Sequence, residues 1–66
     1  MTPAQRESLM FLASSWRAVA AAASSNTRTM LALGVRTDRV FAAEEVAGAA
    51  EKLAAELDAI AREGST

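Results

Sequence analysis

The chain has 66 residues, 52% of them hydrophobic, and contains neither Cys nor His. A domain this short buries only about 60% of its unfolded surface and is usually reinforced by disulfides, a metal or association; the missing Cys and His remove the first route and nearly all of the second, leaving association. Seven basic residues against eight acidic ones give a net charge of −1, so the molecule as a whole lacks the positive field of a nucleic-acid binder, and only a local patch remains open to it.

In chain order, the first predicted element is a long helix over about 3–33. Pro3 suits the first helical turn, where its missing N–H costs nothing, and Thr2 before it is a natural N-cap. Apolar positions then step by three and four as Leu9, Leu12, Trp16, Val19, Ala23, Asn26, Met30 and Leu33, broken only by Asn26. A seam of this kind predicts a helix packed along its length on a near-parallel or antiparallel neighbour. The run SSNTRT at 24–29 is the weak stretch, because Ser, Asn and Thr compete for backbone hydrogen bonds. A break near residues 24–28 would give three helices, which is the second architecture.

The apolar run at 9–23 is a poor signal peptide. Arg17 interrupts it and Glu7 stands where a positive leader belongs. It is also too short and too charged to cross a bilayer, so the chain reads as soluble and cytoplasmic, with no membrane partner.

A bend follows at about 34–37. Gly34 directly succeeds the last seam residue, as a helix C-terminus favours, and Thr37 or Asp38 is placed to cap the second helix, about 38–63. Its seam is Ala43, Val46, Ala50, Leu53, Leu57 and Ile60, with Ala47, Ala54 and Ala61 widening the apolar face on one flank. Gly64 ends it, and the GST tail is expected to fray. The fold class is therefore all-α: residues 1–66 form a single antiparallel hairpin, with Trp16 opposite Ala50 and Ala54.

Two helices leave much apolar surface open. Met10, Phe11, Leu31 and Phe41 fall away from the seam on a helical wheel, and with Trp16 they are the expected association interface. The simplest completion is a second copy, giving a homodimeric four-helix bundle in which a buried Asn26 would fix register. Arg6, Arg17 and Arg28 recur every eleven residues and drift little around the helix. Together with Arg36 and Arg39 they are candidate polar or nucleic-acid contacts, although their spacing suits solvated faces and cross-helix ion pairs better. Glu44, Glu51 and Asp58 make an acidic stripe expected on the outer side of the second helix.

The stretch LALGVRTDRV, residues 31–40, resembles the turn of helix-turn-helix DNA-binding proteins through Leu33, Gly34, Val35 and Val40. That resemblance implies a DNA-binding transcriptional regulator using residues 28–43, with Arg36, Thr37 and Arg39 at the start of a recognition helix. The departures are Met30, where such motifs carry a small residue four before the Gly, and Glu44 and Glu45, whose carboxylates repel phosphate. In outline the hairpin is also similar to the small plasmid-encoded Rop-type hairpins that bind RNA as dimers. That is likeness of shape without shared motif, and it transfers no function.

No catalytic constellation is present. Without His, Cys or Tyr, acid–base work near neutral pH would fall to a strongly shifted carboxylate or to Lys52, and no serine has an evident partner base. No cofactor, metal or small-molecule substrate is expected. The sequence thus reads as a non-catalytic interaction module, a regulator, adaptor or assembly factor that binds itself or another protein, of a kind also produced by phages and mobile elements.

Overall fold

A computed structural model describes residues 1–64, which form two helices, α1 (Pro3–Ala32) and α2 (Thr37–Glu63). The start of α1 is fixed as expected by Thr2. Its hydroxyl accepts from the Gln5 N–H at 3.1 Å, and the Thr2 N–H donates to Gln5 Oε1 at 2.8 Å, a reciprocal capping box. The end of α1 is equally specified. The Gly34 N–H donates to the Leu31 carbonyl at 3.1 Å and the Val35 N–H to the Met30 carbonyl at 2.9 Å. This is a Schellman closure, and it requires the left-handed residue that Gly34 supplies at φ +75°.

Four residues, Leu33–Arg36, therefore reverse the chain. Because the closure consumes Gly34 and Val35, the extended N-cap of α2 is Arg36 rather than Thr37 or Asp38, and its side chain makes no capping bond. Asp38 instead lies in the first turn, where its charge suits the helix dipole, 3.5 Å from Arg36 Nε.

Helix α1 runs unbroken through residues 24–29, so the three-helix alternative is not the fold. The polar run survives because its threonine hydroxyls are satisfied inside the helix. Thr27 Oγ1 donates to the Ala23 carbonyl at 3.0 Å and Thr29 Oγ1 to the Ser25 carbonyl at 3.2 Å. Thr27 is moreover buried in the helix contact itself.

That contact differs from the expected seam in a systematic way. The buried residues of α1 are Ala13, Ala20 and Thr27, and those of α2 are Val40, Ala50, Ala54 and Ala61. Leu9, Ala23 and Met30 on α1, with Ala43, Ala47 and Leu57 on α2, are half-buried beside them. On both helices one half of the expected seam holds, while the other half moves on by one residue. Ala13 and Ala20 replace Leu12 and Val19; Ala47, Ala54 and Ala61 replace Val46, Leu53 and Ile60. Small side chains face each other, which lets two helix axes approach closely without large side chains in between.

The consequence is a rod with almost no core. No large side chain is fully buried, and the buried apolar set is five alanines and Val40. The radius of gyration is 15.0 Å over extents of 49 × 13 × 10 Å, against about 11 Å for a compact chain of this length.

Candidate functional site

Two opposite flanks border the seam, and one ion pair tells them apart. Arg17 follows Ala13 by four residues and Asp58 follows Ala54 by four, and the Arg17 guanidinium donates to the Asp58 carboxylate across the seam. Residues four after a buried position therefore face one flank. Residues one before it point to the other, about 140° away on the wheel.

The first flank is polar. It carries Arg17, Ser24, Glu44, Glu51 and Asp58 along with Met10 and Leu31. Arg6 and Met10 line a shallow groove there with Asp58, Ala61 and Arg62; Ser24, Thr27 and Arg28 line another with Glu44 and Ala47. The acidic stripe is thus not on the outer side of α2 but beside the seam, where Asp58 is half-buried. Arg6, Arg17 and Arg28 do share this flank. Arg17 is engaged with Asp58, and an exposed pair of that kind contributes no more than about 1 kcal/mol.

The second flank is apolar. Leu12 and Val19 from α1 and Val46, Leu53 and Ile60 from α2 project from it, with Trp16 at its border with the seam. Leu12, Trp16, Val19, Val46 and Ile60 are all exposed, Trp16 the least of them at 38%. These are the residues that sequence periodicity had assigned to the hairpin seam. The apolar stripe of each helix is real, but its centre points between the neighbouring helix and open space.

Of the five residues expected at an association interface, Trp16 alone borders this flank. Met10, Phe11, Leu31 and Phe41 are all exposed, Phe11 at 72%, yet they do not form one patch. Phe11 lies on the outer face of α1, Phe41 on that of α2, and Met10 and Leu31 sit on the polar flank some 30 Å apart along α1 (at ~1.5 Å per residue). The signal that finds the coherent patch is the one-residue offset between large and small apolar positions, repeated in both helices.

Residues 28–43 straddle the hairpin bend. A rod 13 × 10 Å in cross-section holds its helices side by side, not at the steep crossing of a helix-turn-helix. Arg36 and Arg39 are exposed at that end. Among the described residues no cluster of three or more acidic side chains is arranged to hold a metal ion, and no helix is long and apolar enough to cross a membrane. Comparison with protein-family models, with curated proteins and with solved structures finds no match to this chain.

Proposed function

We propose that this chain is a non-catalytic helical interaction module that works as a homodimeric four-helix bundle, a small regulator, adaptor or assembly factor acting through protein–protein association. The observation that carries the reading is the direction of the apolar stripes. In a two-helix unit that is complete by itself, the largest apolar residues point at the partner helix. Here alanines do so, and the leucines, isoleucine and valines beside them line one open flank, the direction in which a four-helix core would lie.

Surface area supports the same reading. The chain exposes 4793 Å², whereas a compact monomer of this size exposes about 4000 Å². The excess, roughly 800 Å², matches what each partner contributes to a standard protein–protein interface. A second copy supplies a flank of the same length and the same apolar character, and a twofold interface is self-complementary by construction.

Size-exclusion chromatography with light scattering at low and moderate salt tests the reading. Twice the chain mass, insensitive to salt, is the expected result. A helical monomer at micromolar concentration would overturn it and turn the search towards a different protein as the occupant of the flank.

A further inference from the structure

Resting on that reading, we infer the arrangement of the second copy: the two hairpins lie with their bends at opposite ends, α1 against α1 and α2 against α2. A twofold axis in the plane of the interface has two choices. Running along the rod, it places both bends at one end and each α1 on the other copy's α2. Running across the rod, it places the bends at opposite ends and packs like helices on each other. The distribution of large and small residues along the flank separates the two.

Bulk is greatest at the end of the hairpin away from the bend. Leu9, Leu12 and Trp16 on α1 lie level there with Leu53, Leu57 and Ile60 on α2, whereas Ala23 and Asn26 lie level with Ala43 and Val46 further along, before Met30 and Leu33 at the bend itself. With both bends together, large residues meet large ones at the open end and small meet small around Ala23, Asn26 and Ala43, so the hairpins are wedged apart at one end and leave a void further along. Either defect is destabilising in a packed interior.

Opposite bends remove the conflict. With the axis crossing α1 between Val19 and Ala23, Leu12 faces Met30 of the second copy, Trp16 faces Asn26, and Val19 faces Ala23. The same axis crosses α2 between Ala50 and Leu53. There Ala43 faces Ile60 of the second copy and Val46 faces Leu57, while Leu53 lies beside the axis. Trp16 with Asn26, Val19 with Ala23 and Ala43 with Ile60 each join a larger residue to a smaller one, as interdigitation requires. Side chains lean towards the N-terminus of their own helix, and once that is allowed for, the axis positions found independently on α1 and α2 agree to within about one residue.

The pairing also gives Asn26 a role. Among the described residues neither the Trp16 indole N–H nor the Asn26 amide makes a hydrogen bond within the chain. Opposite bends bring the two together, so the one amide on an otherwise apolar stripe accepts from the one indole. A shift by one heptad places Asn26 against Leu9 in one direction and Ala23 in the other, neither of which can pair with its amide, and this disfavours neighbouring registers.

The test is a distance. The chain has no cysteine of its own, so Arg36→Cys in the exposed bend accepts a single nitroxide label, with Asp38→Cys as a second site. Opposite bends place the two labels of a dimer about 40 Å apart, from the ~1.5 Å helical rise. Electron–electron double resonance centred near that value is the expected result. A dimer with labels within about 20 Å of each other overturns the arrangement while leaving self-association intact. A monomeric mass with no interchain distance overturns both.

Discussion

Ile60→Asp bears most directly on the apolar flank. Ile60 retains 48% of its accessible surface in the isolated hairpin. Complete burial of an isoleucine side chain contributes about 1.5–3 kcal/mol, so the half still to be covered is worth roughly 1 kcal/mol per copy. Placing a carboxylate in the same position adds a desolvation penalty of at least about 1 kcal/mol. A twofold interface uses the position twice, which brings the loss to about 4 kcal/mol, or on the order of 1000-fold in the dimer dissociation constant. Sedimentation equilibrium over a concentration series measures that shift directly, and far-ultraviolet circular dichroism on the same samples follows the helices. Phe11→Asp is the matched control, because Phe11 is 72% exposed on the outer face of α1, and it is expected to leave the association constant unchanged. The reasoning fails if Ile60→Asp still forms a tight dimer while Phe11→Asp dissociates it.

Four further outcomes follow from positions whose surroundings are specific. A methyl at Gly48 meets nothing within 4 Å, so Gly48→Ala is expected to raise stability by about 0.5–1 kcal/mol through helix propensity, seen as a higher melting temperature at fixed chain concentration. Gly34 holds φ +75°; Gly34→Ala is expected to cost about 1–2 kcal/mol in urea unfolding despite the open space around it, because the left-handed backbone is strained for any Cβ. Ala54 has no accessible surface, and Ala54→Leu is expected to lower stability by about 1–3 kcal/mol by forcing the helices apart, a loss readable in the same urea titration. Arg17→Ala removes the exposed Asp58 pair and is expected to change the unfolding free energy by less than about 1 kcal/mol, an effect that disappears at high salt.

Much of the fold is legible in the sequence because its determinants are local. Thr2, Pro3 and Gly34 act through their own backbone neighbours, and each does what its residue type dictates. Residues 24–29 mislead because propensity counts Ser, Asn and Thr as helix competitors, whereas Thr27 and Thr29 turn their hydroxyls onto carbonyls four residues back and Thr27 gains burial besides. The N-cap of α2 is missed for a related reason. Asp38 and Thr37 are good caps, but the Schellman closure fixes where the extended residue falls and leaves that place to Arg36.

The seam is the instructive error. Periodicity locates the centre of an apolar stripe and assumes that the nearest helix covers it. In this chain the stripe is wider than one neighbour can cover, and the hairpin contact uses its alanine edge. Leu12, Val19, Val46 and Ile60 do lie on the apolar stripe of their helix, but they are exposed rather than covered by the other helix of the chain. Sequence periodicity alone carries no information about which of several helices lies in the direction it reveals.

A contact whose buried apolar residues are five alanines and one valine has a bearing on how the protein persists in a cell. If assembly supplies most of the burial, dilution acts like denaturant, and folding of each hairpin is a bimolecular event governed by mass action. The population open to proteases then falls as the amount of chain rises. Scarce copies are cleared quickly and abundant ones endure, so the turnover of this protein would report its own abundance without any dedicated degradation signal.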